Sequence, residues 1–232
     1  MNKSLTVVLP AYNEQDNLGQ SLDNLHRALE GLVDDYEIIV IDDGSHDQTA
    51  LIARTQARLD SRIQCVSNDR NRGYGYSYRR GVMMARKAHV GVYTADNDMS
   101  WESFRDLVKN IGQADIISSY MSNPHDREWL RRTLSKIFVV MMNTIFRMRL
   151  KYVNGCFIGR RDILQALTIR SNGLTVLAEC KVKLIKQGFS CLEVPFIHVP
   201  RRGGRSSALR LKSIKATIEA MWFLYWDVYW RK

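Results

Sequence analysis

Two pairs of aspartates are the residues in this sequence best suited to do chemistry. Asp96 and Asp98 stand one residue apart in VYTADNDMSW (92–101), and Asp42 and Asp43 are adjacent in IIVIDDGSHD (38–47). Carboxylates this close repel each other unless a cation or a hydrogen-bonding neighbour offsets the repulsion. A hard divalent ion does so, and when only one or two carboxylates hold it, its remaining positions stay open to water and phosphate oxygens. The alternative for the D-x-D triplet is a solvated turn, or a cap in which Asp98 opens the helix near Trp101. Position favours the ion, because each pair directly follows a short apolar run.

Those runs are the elements that must position the acids. LTVVL (5–9), YEIIVI (36–41), IQCVS (63–67), VGVYTA (90–95) and ADIISS (114–119) read as strands, and residues 15–31, 47–60, 74–88 and 101–112 carry the spacing of amphipathic helices. Alternation of this kind predicts a mostly parallel sheet with helices on both faces, hence an α/β fold. Ligands of such sheets bind beyond the carboxyl ends of the strands, so both acidic pairs face one rim. After residue 120 the pattern changes to a long basic helix over 127–149, a helix over 174–187, the strand CLEVPFIHV (191–199), the loop RRGGRSS (201–207) and a C-terminal helix crowded with aromatics. Residues 1–207 are expected to form one catalytic domain, with 208–232 an amphipathic helix that belongs to it or meets a membrane.

The charge is divided unevenly. Residues 1–100 hold 11 Lys/Arg against 14 Asp/Glu, whereas residues 101–232 hold 23 against 10. The second half is therefore expected to meet something anionic. Nucleic acid ranks low, since acids at the strand ends would repel a phosphate backbone. Cys65, Cys156, Cys180 and Cys191 lack the paired short spacing of a zinc or redox site and read as reduced, buried thiols. No stretch reaches the roughly 18 consecutive apolar residues of a membrane span, so the chain is expected to be soluble or to lie on a membrane without crossing it. NRGYGYSYRRG (71–81) places Tyr78 where a dinucleotide fingerprint needs its third glycine; Gly73 and Gly75 fit a tight turn with close backbone approach instead.

The segments VVLPAYNEQDNL (7–18), YEIIVIDDGSHDQT (36–49), NRGYGYSYRRG and YTADND occur in the order and spacing of the family 2 inverting nucleotide-sugar transferases, which the first 100 residues resemble. Glu179, EVP (193–195) and RRGGRSS resemble the dolichyl- and polyprenyl-phosphate mannosyl- and glucosyltransferase branch. The resemblance implies the GT-A fold, a GDP- or UDP-sugar donor, Mg²⁺ or Mn²⁺ as cofactor and a polyprenyl-phosphate acceptor. It implies that Pro10, Ala11, Tyr12 and Glu14 line the nucleotide pocket and that Ile41 and Asp43 hold base and ribose. Asp96, Asn97 and Asp98 would take the diphosphate, with Asp96 and Asp98 on the metal, and Arg201 and Arg202 would reach the phosphates. The chain departs from the branch at Ser207, where the loop carries Lys, at Met121, where mannosyltransferases carry Arg, and at Lys151, where an acid is usual. These positions belong to the half that handles sugar and acceptor.

A lipid phosphate is already anionic and needs guanidinium groups rather than a strong base; Arg131 is the first candidate, Ser135 shares its helical face, and Arg205 is a further one. A hydroxyl acceptor on a lipid, glycan or small molecule would instead need a carboxylate to take its proton, for which Glu179 is the candidate, with a buried structural role as its alternative. On the C-terminal helix Leu211, Ile214, Ile218, Trp222, Tyr225 and Tyr229 share one face flanked by Arg210, Lys212, Lys215, Arg231 and Lys232. That face suits the headgroup layer of a membrane, and equally core packing or a homodimer contact. The expected location is the cytoplasmic side of a membrane, held peripherally.

Overall fold

The computed structural model describes residues 3–33, 35–126, 129–199 and 211–230. Its elements follow the order β1 (Ser4–Ala11), α1 (Leu18–Leu29), β2 (Asp35–Asp42), α2 (Thr49–Leu59), β3 (Ile63–Ser67), α3 (Tyr74–Met84), β4 (His89–Val92), α4 (Trp101–Lys109), β5 (Ile116–Met121), α5 (Trp129–Phe146), β6 (Phe157–Arg160), α6 (Arg161–Gln165), α7 (Val176–Lys186), β7 (Cys191–Phe196) and α8 (Leu211–Tyr229). Seven strands form one sheet in the order β3-β2-β1-β4-β6-β5-β7. All neighbours pair in parallel except β6, which runs antiparallel to both β4 and β5. This is the mostly parallel α/β sheet that the alternating strand and helix runs predict, with the GT-A-like architecture that the family resemblance implies.

β1 and β2 read as unbroken apolar runs because helices cover both of their faces, and Leu5, Val7, Val8, Ile38, Ile39, Val40 and Ile41 are all fully buried. From β1 the chain winds outward through β2 to β3 and then returns to place β4 on the other side of β1. The switch of direction between β1 and β4 opens a crevice at their carboxyl ends, where a doubly wound sheet takes its ligand.

Three sequence expectations are corrected. The fourth strand ends at Val92 rather than Ala95, since residues 94–98 leave the ladder for a turn with Asn97 at φ 55°. The strand expected over 191–199 ends at Phe196; an isolated bridge between Met99 and His198 follows it. β6 and α6 have no counterpart in the sequence reading, because FIGR is short, holds a glycine and ends in a charge, and so lacks strand periodicity.

Around α5 a second cluster forms, with Met142 and Phe146 packed on Ala178 and Val182 of α7 and on Leu224 of α8. Phe146 stacks on Tyr229, whose hydroxyl donates to the Ile145 carbonyl. The inward side of α8 is thus Met221, Leu224 and Val228 with Asp227, not the stripe through Ile218, Trp222 and Tyr225, which lies outward. Phe223, Trp226 and Trp230 are exposed as well, as are Trp129, Leu134, Ile137 and Val140 of α5. Among the described residues no helix is long and apolar enough to cross a membrane.

Candidate active site

The rim above the β1–β4 crevice is built by four loops. Tyr12 to Glu14 extend β1, Asp43 to Asp47 extend β2, Asn68 to Gly73 extend β3, and Thr94 to Asp98 extend β4. The first two loops lock together: the Asn13 amide donates to Ser45 Oγ, the His46 amide to Asn13 Oδ1, and the Glu14 amide to Thr49 Oγ1 at 2.8 Å. Tyr12 is exposed, with its ring edge-on to His46 at 6.4 Å. Glu14 accepts from Asn17 Nδ2, and its carbonyl receives the Asn17 and Leu18 amides that open α1.

The 94–98 turn is held from all sides. Ser21 Oγ donates to the Ala95 carbonyl, Asn24 Nδ2 to Asn97 Oδ1, and Asn97 Nδ2 to the Asn17 carbonyl. Those contacts stabilise the left-handed backbone of Asn97, a conformation that asparagine tolerates better than most residues. Thr94 Oγ1 donates to Asp98 Oδ1 at 2.9 Å, and the Asp98 amide leans on Asp96 Oδ1 at 3.3 Å. The Asp98 carbonyl receives the Val199 amide, while His198 and Asn123 exchange two hydrogen bonds. The end of β4, the segment after β5 and the segment after β7 therefore meet at the acidic pair. Asp98 does not cap α4: Ser100 does, accepting the Ser103 amide at 3.3 Å.

Behind the pair the environment is dry. Burial raises the Tyr74 hydroxyl well above its ordinary range, with the nearby Asp96 and Asp98 carboxylates adding to the shift. Burial likewise raises the Cys156 thiol, with Asp98 the next cause. Carboxylates backed by apolar and neutral groups have their attraction for a cation strengthened. Among the described residues no three His, Cys, Asp or Glu side chains converge as a metal cage. Two carboxylate oxygen donors fit instead an ion that takes its other ligands from phosphate and water.

Several expected site residues have other surroundings. Ile41 is fully buried inside β2, and Pro10 and Ala11 are buried in β1, so their side chains support the rim from within the core. Asp43 is 3% exposed and already receives Asn68 Nδ2 and the Arg72 amide on Oδ1 and the Gly73 amide on Oδ2. A carboxylate with three donors anchors the turn after β3. Glu179, 5% exposed, accepts the Arg170 and Ser171 amides and Lys183 Nζ. It is a buried structural acid, which displaces its expected role as a base. Arg131 and Ser135 are half-buried on one face of α5. The expectations for Arg201, Arg202 and Arg205 lie outside the described residues.

Sequence reasoning missed the supporting contacts: the Thr94 hydroxyl on Asp98, the Asn24 side chain and the Asn17 carbonyl on Asn97, and the Asn123 side chain on the His198 backbone. Only asparagine at 97, a residue type that favours left-handed turns, carried a local signal.

The family model described as glycosyl transferase family 2 matches residues 6–168. The fold is similar to that of glucosyl-3-phosphoglycerate synthase from Mycobacterium tuberculosis in several crystal structures. In complex with Mn²⁺, UDP-glucose and phosphoglyceric acid that enzyme superposes with a TM-score of 0.75 at 18% identity, over 96% of this chain and 80% of the other. In complex with Mn²⁺, UDP and glucosyl-3-phosphoglycerate the TM-score is 0.71 at 20% identity, with coverage of 96% and 80%. In complex with Mg²⁺ and UDP it is 0.73 at 16%, with 96% and 79%.

Proposed function

The chain belongs to glycosyl transferase family 2, and on that premise we propose that it transfers a sugar, with inversion, from a UDP- or GDP-sugar to a polyprenyl phosphate at a membrane surface. The observation that carries the donor half is the Asp96–Asp98 turn, fixed across the crevice from Tyr12 and the Asp43-anchored turn. Asp96 and Asp98 would hold Mg²⁺ or Mn²⁺, as the Mn²⁺, Mg²⁺ and UDP bound by the structurally similar synthase suggest. When bound, that ion supplies Lewis-acid charge to the leaving diphosphate. Thr94 engages one Asp98 oxygen and leaves the other for the ion. Asn97, Glu14 and Tyr12 line the donor side, and Arg201 and Arg202 are assigned to the diphosphate.

Arg131, with Ser135 one turn on and Arg205, would hold the acceptor phosphate by charge-assisted hydrogen bonds. An ionised phosphate oxygen attacks without a general base, which agrees with Glu179 being fully engaged elsewhere. The outward faces of α5 and α8 support the lipid reading: at least eleven large apolar side chains stand exposed there, beside Arg131, Arg132, Lys136, Arg147 and Arg149. Aromatic and apolar side chains rimmed by cations suit an anionic bilayer surface.

A second reading is a small phosphorylated acid as acceptor, because the similar synthase binds phosphoglyceric acid. It leaves the apolar face unexplained. Incubation with UDP-glucose or GDP-mannose, Mn²⁺, and either polyprenyl phosphate in vesicles or phosphoglyceric acid, read by mass spectrometry, separates the two. Transfer to phosphoglyceric acid alone would overturn the lipid acceptor. Calorimetry with UDP tests the donor site: Asp98→Ala is expected to abolish metal-dependent binding, and unchanged binding would remove the metal role.

A further inference from the structure

We propose that Asp227, on the C-terminal helix α8, is a positioning residue for the donor side of the crevice, acting through an ionic strut that crosses α7. The strut can be followed atom by atom. Asp227 Oδ2 accepts from Lys183 Nζ at 2.9 Å and is ion-paired with Arg170 Nε at 3.2 Å. Lys183 Nζ also donates to Glu179 Oε1 at 2.7 Å and to the Thr168 carbonyl at 2.8 Å. Glu179 in turn receives the Arg170 amide at 2.9 Å and the Ser171 amide at 2.8 Å. Residues 168–172 are thereby fixed, and the turn after β3 rests on them.

That contact is backbone against backbone. The Gly75 amide donates to the Asn172 carbonyl at 2.9 Å, and a Cβ on Gly75 would stand 2.3 Å from the Ser171 oxygen. A Cβ on Gly73, at φ 97°, would stand 2.4 Å from the Asn172 oxygen. Arg79 adds donors to the Ile169 carbonyl and to Asn172 Oδ1. On its far side the same turn gives the Arg72 and Gly73 amides to Asp43, at the end of β2. With no side chain between the two loops, a displacement of 168–172 moves the 72–75 turn with it.

Three of the linking side chains are nearly buried, Lys183 at 10%, Asp227 at 9% and Glu179 at 7% side-chain exposure. Removing one partner of such a network strands charge in a dry site. Lys183 is the shared member, holding the α8 carboxylate and the loop-holding carboxylate at once. The donor edge therefore depends on α8 being docked, and by linkage whatever α8 binds on its outer face is coupled to the donor site.

The inference rests on the donor reading for its consequence, but the strut itself is tested independently. In Asp227→Asn, amide hydrogen exchange of Arg72, Gly73 and Gly75 is expected to accelerate by about tenfold or more while the β1 and β2 core amides remain protected. The donor KM is expected to rise by about tenfold with the acceptor KM unchanged, and Asp227→Glu to restore most of the loss. Unchanged exchange at 72–75 in the asparagine variant overturns the strut. Faster exchange with an unchanged donor KM overturns the positioning role. Absence of nucleotide binding by the wild-type chain would instead remove the donor reading, with the exchange result still deciding the strut.

Discussion

Lys181 offers the sharpest test of the energetics beneath the site. Its side chain is fully buried in α7, and its Nζ has no hydrogen-bond partner among the described residues. It lies 5.7 Å from the centre of the Phe157 ring. Across β5, Ser118 is opposite Phe157 on one side and Glu193 on the other, so the ammonium sits over the place where β6, β5 and β7 meet. Burial pushes its pKa down from the ordinary 10.5 to about 8, with Cys191, Cys156 and Glu193 pulling in the opposite sense. At about 1.4 kcal/mol per tenfold change, that difference is a cost of about 3 kcal/mol for carrying the charge in the folded state.

The pH dependence has a fixed direction. Below pH 8 both the folded and the unfolded chain carry the proton and the whole cost is present. Between about 8 and 10.5 the unfolded chain binds more protons than the folded one, so stability rises with pH and the cost disappears. Lys181→Met keeps the length of the side chain and removes the charge. It is expected to be about 3 kcal/mol more stable than wild type at pH 7, an advantage that shrinks by about 2 kcal/mol at pH 9.5. Urea unfolding of both proteins at several pH values measures the difference. A methionine variant of lower stability, or an advantage that does not change with pH, would refute the account of Lys181 as a buried, uncompensated ammonium.

Two further outcomes are expected. Thr94→Val removes the donor that orients Asp98, and loss of such a supporting hydrogen bond typically costs about tenfold or more in metal affinity; Mn²⁺-dependent UDP binding by calorimetry checks this, with metal-free binding unchanged. Replacing Trp222 and Trp226 together by glutamate puts charge on the outer face of α8, where both rings are at least half exposed. Flotation with anionic vesicles is expected to fall several-fold while urea stability changes by less than about 1 kcal/mol; unchanged flotation removes the membrane contact, and a lower mass in solution for the variant than for wild type would assign the face to a dimer.

Much of the frame was legible in the residues themselves. Apolar runs of strand length at 5–9 and 36–41 imply strands covered on both faces, and their place before D-D and D-x-D implies acids at one rim, because a strand's side chains and its end are fixed by local geometry. The turn at Gly73 and Gly75 was legible for a similar reason, since glycine alone permits its backbone. Roles that depend on partners were not. Asp43 and Glu179 were read as ligand and base, and no local spacing shows that the amides of 72–73 and 170–171 converge on their carboxylates. Nor does the spacing of apolar residues on α8 say which side turns inward, as residues 220–229 are apolar nearly all round; Asp227, the one charged residue among them, joins the inward side because Lys183 and Arg170 wait there.

What the sequence determined by itself was the alternation of strand and helix and the acids at the strand ends, since hydrophobic period and turn chemistry act over a few residues. Only the tertiary structure decided which of those acids remain available at the crevice. Availability is set by burial and by hydrogen bonds from separate segments, such as the Asn68 side chain and the 72–73 amides on Asp43, and no local spacing encodes them.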